Sequence, residues 1–282
     1  MDVFMNVISF TGAADARLEA ESFGAGRPVI LLHGIGQTRH AWRRTAELLA
    51  ERGYRAVSVD LRGHGGSDWS NAGYGIPLYV EDLRRLVSLI GGVPALVGAS
   101  MGGTISMTAL GGDDPPPASA LVIVDITTRI DMDGAKAIQA FMNANPEGFD
   151  TVEQAAEAVA RYMPGRPRPK NASGLRRNLR ERDGRLFWHW DPALMRHDAS
   201  QADYDASAER LEASVRNIVQ PTLLVRGERS EIVSDEGVER LIDLIPHCEV
   251  AEVKGAGHMV TGDANTPFAD ALLEFLARVY PA

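Results

Sequence analysis

Short, unbroken apolar runs alternate along this chain with stretches of helical period. Val29-Ile30-Leu31-Leu32 is the first such run, and His33-Gly34 breaks it. Comparable runs span Ala56 to Asp60, Pro94 to Gly98, Ala120 to Asp125, Thr222 to Arg226 and Glu249 to Val253. Continuous apolar runs, rather than alternating ones, are what strands covered on both faces require. Between them the 3.6-residue period predicts a helix from about Arg39 to Arg52, with Trp42, Ala46 and Leu49 near one face and Gly53 as its stop. Further helices are predicted from Leu78 to Ile90, from about Met101, and from about Thr266 to Val279. Strands alternating with helices mean βαβ crossovers, so the fold class is α/β, a doubly wound, mostly parallel sheet.

The interval from about Arg129 to Val219 breaks this rhythm. It holds a run of helix formers from Val152 to Tyr162, then a Pro/Arg stretch from Pro164 to Lys170, then polar amphipathic sequence. It reads as a helical lid over residues 129–219, inserted into a core domain made of residues 1–128 and 220–282. Arg161 to Arg185 is locally basic, and a solvated lid surface is preferred over an anion site because charge runs usually mean exposure. Phe187-Trp188-His189-Trp190 either forms an aromatic wall over a site or anchors the lid.

Composition narrows the function classes. With 282 residues, 45% of them hydrophobic, the chain can bury one large core. A formal net charge of −9 argues against nucleic-acid or anionic-membrane partners. Cys248 is the only cysteine, which excludes an intrachain disulfide and a thiolate metal cluster and fits a reducing compartment. The Met1-Asp2-Val3-Phe4 start lacks the features of a signal peptide, and no apolar run is long enough for a bilayer, so a cytoplasmic location is expected.

Three loops carry the candidate chemistry. Gly98-Ala99-Ser100-Met101-Gly102 lies between an apolar strand and a helix start. A serine hydroxyl becomes a nucleophile only with a base beside it and a backbone turn that projects it, and flanking glycines permit that turn. Ser100 is therefore the candidate nucleophile. Acyl transfer puts negative charge on a carbonyl oxygen, which preorganised N–H groups stabilise. The Met101 N–H and the Ile35 N–H of His33-Gly34-Ile35-Gly36 are the candidate donors, and Gly34, Trp188 and Trp190 are expected to line the substrate pocket. His33 is read as bracing its loop. In Gly255-Ala256-Gly257-His258-Met259, His258 is the candidate general base.

Together with Asp60-Leu61-Arg62-Gly63-His64-Gly65-Gly66-Ser67, these loops resemble the α/β-hydrolase superfamily across essentially the whole chain outside the lid. The resemblance implies an eight-stranded sheet, a lid after the sixth strand, and no cofactor or metal. A serine at the turn sets the chain apart from haloalkane dehalogenases and epoxide hydrolases, which use aspartate there. In one respect the pattern departs. Most members carry an aspartate a few residues after the glycine that ends the seventh strand, and Ser230 stands there in Arg226-Gly227-Glu228-Arg229-Ser230-Glu231. Glu231 is one substitute for the triad acid. Asp125, at the end of the neighbouring sixth strand, is preferred because a strand end is the more rigid support.

The expected activity is hydrolysis of a small carboxylic ester or lactone through an acyl-enzyme. C–C bond hydrolysis or acyl transfer with the same triad is the alternative, and a small-molecule receptor on the same fold is a third reading.

Overall fold

In the first apolar run, adjacent residues serve opposite layers. Ile30 and Leu32 join a core with Leu83, Leu86 and Ile105, whereas Val29 and Leu31 pack with Trp42, Leu49, Phe268 and Leu272. All four are essentially inaccessible to solvent. Each such side chain contributes about 1.5–3 kcal/mol relative to exposure, so a run of this kind has no stable place at a surface.

The computed structural model describes residues 5–163, 172–195, 201–258 and 265–282. In chain order the elements are β1 (Met5–Thr11), β2 (Arg17–Phe23), β3 (Arg27–Leu32), α1 (Arg43–Glu51), β4 (Tyr54–Asp60), α2 (Ile76–Ile90), β5 (Ala95–Ala99), α3 (Met101–Gly111) and β6 (Ala120–Val124). There follow α4 (Met132–Asn143), α5 (Val152–Tyr162), β7 (Leu179–Arg182), β8 (Arg185–Trp188) and α6 (Gln201–Val215). The chain then returns to the sheet with β9 (Thr222–Gly227), α7 (Asp235–Leu244), β10 (Cys248–Val253) and α8 (Asn265–Val279). The described residues form an eight-stranded sheet in the order β1-β2-β4-β3-β5-β6-β9-β10. β1 and β2 pair antiparallel, as do β2 and β4, and the remaining pairs are parallel. Helices α2, α3 and α7 feed the core on one face, and α1 and α8 the core on the other. Among the described residues no helix is long and apolar enough to cross a membrane.

The helix predicted from Arg39 starts as a 3₁₀ turn over Arg39–Trp42 before α1 takes over. The Asp60 carboxylate accepts the Arg39 N–H at 2.7 Å and holds that entrance. The interval between β6 and β9 carries α4, α5 and α6, together with a β7–β8 hairpin that the helical period did not reveal. Its turn is Asp183-Gly184, both at positive φ, the two-residue geometry that matches strand twist. The Pro164 to Lys170 stretch lies outside the described residues. The aromatic residues of the interval form their own core: Phe149, Trp188 and Trp190 pack with Met142, Leu179 and Leu186.

This interval is fastened to the sheet at the hairpin's exit. The Asp191 N–H donates to the Gly63 carbonyl at 2.9 Å, and Trp69 Nε1 donates to the His189 carbonyl at 3.3 Å. Arg180 donates to the Gly65 carbonyl and lies over the Trp69 ring. All of these contacts fall on the loop after β4, at the carboxyl end of the sheet. In open α/β sheets that end is where ligands bind.

Candidate active site

Ser100 sits between β5 and α3 with φ 48 and ψ −115, a conformation L-residues rarely adopt. The flanking glycines make it possible. A Cβ on Gly98 would lie 2.3 Å from the Gly102 carbonyl oxygen, and one on Gly102 would lie 2.4 Å from that of Leu32. The Ser100 N–H donates to the Val124 carbonyl at 2.9 Å, tying the turn to the neighbouring strand. Strain of this kind persists only where the surroundings over-determine it, and it marks functional turns.

Asp125 follows β6 directly, also at positive φ and almost wholly buried. Its carboxylate is fully engaged. Oδ1 accepts the Gly227 N–H at 2.7 Å, and Oδ2 accepts both the Ser230 hydroxyl at 2.6 Å and His258 Nδ1 at 2.8 Å. The imidazole thus keeps its proton on Nδ1 and leaves Nε2 as the basic nitrogen. Ser100 and His258 line one cavity. Glu231, the other candidate acid, accepts the His258 backbone N–H at 3.3 Å rather than the ring. Ser230 stands where the acid is usual and braces Asp125 instead, while its oxygen accepts the N–H groups of Ile232 and Val233 at 3.3 and 3.1 Å. The sequence marked that position as a departure without showing this use.

The loop after β3 runs past the serine so closely that a Cβ on Gly34 would lie 3.2 Å from Ser100 Cβ. On this loop the Gly34 N–H donates to Gln37 Oε1 at 3.0 Å and the Gly36 N–H to His64 Nε2 at 3.1 Å. The intervening Ile35 N–H, and the Met101 N–H that opens α3, have no hydrogen-bond partner among the described residues. Two N–H groups thus remain unpartnered, one on the loop after β3 and one on the residue that follows Ser100. The cavity measures about 360 Å³ and is lined by Gly34, Ile35, Trp188 and Trp190, with Phe141, Met142 and Val159. Trp188 and Trp190 stack at 4.9 Å with their planes 12° apart, so the two rings belong to the interval's own core and also wall the cavity.

Three histidines that do not touch the serine hold this loop in shape. His33 Nδ1 donates to the Gly34 carbonyl at 2.8 Å and its Nε2 accepts the Leu61 N–H at 3.0 Å. His64 Nδ1 donates to the Arg62 carbonyl at 3.0 Å, which leaves Nε2 to accept from Gly36. His189 accepts the Gly65 N–H at 2.9 Å and donates Nε2–H to the Gly36 carbonyl at 3.2 Å. In the sequence His189 stands in the aromatic run of the inserted interval, and nothing local announces its contacts over 124 and 153 positions.

Burial pushes the His33 imidazolium down to about 4 and that of His64 to about 3, and burial also lowers His189 well below its ordinary value. The unfolded chain protonates these rings near pH 6.5, so stability is complete above that pH and declines as it falls. Each ring costs up to about 1.4 kcal/mol per pH unit. Below pH 6.5 the urea midpoint should therefore fall steadily toward pH 4. In His189→Gln the slope of unfolding free energy against pH should drop by about one proton's worth. An unchanged slope would show that this ring does not titrate on unfolding.

A strained serine and a histidine held by a buried carboxylate thus line one cavity, with an unpartnered N–H on the loop after β3 and another on the residue next to the serine. The family comparison agrees at the level of the fold: residues 27–264 match the model for the alpha/beta hydrolase fold, and the chain belongs to that family. It is 31% identical over 266 residues to a 2-(acetamidomethylene)succinate hydrolase of Mesorhizobium japonicum, covering 90% of this chain and 92% of the relative. An esterase of Mycobacterium tuberculosis is 30% identical over 257 residues, with 87% and 82% covered. A crystal structure of E-2-(acetamidomethylene)succinate hydrolase superposes with a TM-score of 0.82 at 27% identity, covering 96% of this chain and 99% of that one. The protein is a hydrolase.

Proposed function

We propose that the protein hydrolyses carboxylic esters or lactones of small, partly apolar substrates through an acyl-enzyme. The observation that carries this reading is the 2.8 Å contact between Asp125 and His258 Nδ1, made from the same cavity that holds the strained Ser100. In this reaction Ser100 Oγ attacks the carbonyl carbon while His258 Nε2 takes its proton. The Ile35 and Met101 N–H groups stabilise the resulting oxyanion. His258 then gives the proton to the departing alkoxide, and the Ser100 acyl ester remains. Water, deprotonated by the same ring, releases the acid and restores the hydroxyl. The stacked Trp188 and Trp190 favour an apolar or aromatic group beside the carbonyl. The esterase among the relatives is consistent with this bond type.

A panel of p-nitrophenyl acetate, butyrate and hexanoate, phenyl acetate, and five- and six-membered lactones tests the reading. Turnover of at least one class, with a p-nitrophenol burst stoichiometric with enzyme, is the expected result. If no ester or lactone is cleaved while a β-diketone is, the same residues act on a C–C bond and the ester reading is wrong.

A further inference from the structure

The basic stretch of the interval between β6 and β9 is mostly accounted for by pairing. Arg176 bridges to Glu181 and Arg185 to Asp150, both at 2.6 Å, while Arg182 lies over the Phe187 ring. Arg180 is spent on the Gly65 and Ser67 carbonyls. Arg177 does none of this. Among the described residues it has no carboxylate partner, and it lines the cavity that contains Ser100 and His258.

A second, polar cavity of about 240 Å³ adjoins the first, and the two share Thr38, His40 and Arg177 in their walls. Other charges there are already matched: Asp60 accepts the Arg39 N–H and the Gly66 N–H, both at 2.7 Å, and ion-pairs with the Arg39 guanidinium. His40 differs. Its Nδ1 is buried without a hydrogen-bond partner, and Glu21 Oε2 lies 3.8 Å away, beyond hydrogen-bond reach. The Arg177 guanidinium thus stands where an otherwise largely apolar cavity turns polar, with the His40 residue beside it on the shared wall.

We propose that Arg177, with His40 beside it, forms a carboxylate subsite, and that the preferred substrates are esters whose acyl portion ends in a second carboxylate. This rests on the serine-hydrolase reading above. The guanidinium supplies the planar two-donor fork that a carboxylate accepts, while the apolar wall takes the methylene chain between the two carbonyls.

The test compares kcat/KM for p-nitrophenyl hemiadipate and p-nitrophenyl hexanoate, acyl groups of equal carbon number. It uses the wild type, Arg177→Gln, Arg177→Glu and, as a charge-matched neighbour, Arg176→Gln. Each protein is scored by its own acid-to-neutral ratio, so differences in folded fraction cancel. A charge-assisted hydrogen bond of this kind supports a wild-type ratio of about 10 or more, falling about 10- to 100-fold in Arg177→Gln. Arg177→Glu should fall further, and Arg176→Gln should keep the wild-type ratio. A wild-type ratio at or below one overturns the subsite. So does an equal fall in Arg176→Gln, since that would reflect only the general field.

Calorimetric titration of adipate into Ser100→Ala, with and without Arg177→Gln, separates the two readings. If neither ester turns over but adipate binds in an Arg177-dependent way, the ester reading fails and the subsite stands. If hexanoate is cleaved while adipate neither binds nor is preferred as its hemiester, the subsite fails alone.

Discussion

Ser100→Ala is expected to lower kcat by on the order of 10⁶ on any ester the wild type cleaves. The loss is this large because the hydroxyl, the imidazole and the carboxylate act as one unit, and removing the nucleophile idles the other two. A residue of about 10³–10⁴ over the uncatalysed rate should remain from the oxyanion donors and binding. The substitution deletes one atom at a site whose backbone is fixed from outside, by the Ser100 N–H on Val124 and by Gly98 and Gly102. Folding should therefore survive, and steady-state kinetics beside circular dichroism of the same preparation checks both points. A variant that keeps more than about a hundredth of wild-type turnover would show that another group attacks the carbonyl.

The second large effect belongs to the carboxylate. Asp125→Asn keeps the volume of the side chain but replaces one acceptor oxygen with an NH₂ donor. That group faces a ring nitrogen, His258 Nδ1, that must itself donate, so the imidazole loses the tautomer that leaves Nε2 basic. By analogy with triads elsewhere, kcat should fall by about 10⁴. Ser230→Ala removes a donor from the same oxygen and should cost about tenfold, the scale of one hydrogen bond to a charged group. Glu231→Gln alters only a 3.3 Å contact to the His258 main chain and should cost less than about tenfold. The ordering Asp125→Asn, then Ser230→Ala, then Glu231→Gln is the checkable content. If Glu231→Gln proved the most damaging of the three, the acid would be Glu231.

Much of this was legible in the sequence because it is local. Val29 to Leu32 announces a strand covered on both faces through apolarity alone, and Gly98 and Gly102 announce a tight turn through their spacing about Ser100. The β7–β8 hairpin was harder to see. Its strands are short and carry Arg180, Arg182 and Arg185 on the face opposite Leu179 and Leu186, so the two-residue period is faint beside the helical stretch before it. The neutral chain of His33, His64 and His189 was hidden for another reason. Its contacts join the loop after β3, the loop after β4 and the inserted interval, and no periodicity encodes a contact between three distant segments. Ser230 and Arg177 are hidden in the same way. A serine in place of an acid and an arginine in a basic run acquire meaning only once their neighbours are known.

The most direct measurement is intact-mass and peptide mapping of the protein after exposure to a fluorophosphonate. A single adduct is expected, on the peptide containing Gly98-Ala99-Ser100-Met101-Gly102. It should be absent in Ser100→Ala, and its rate of formation should be strongly reduced in Asp125→Asn. An adduct on any other residue, or labelling that survives loss of the Ser100 hydroxyl, would contradict the assignment of that oxygen as the nucleophile.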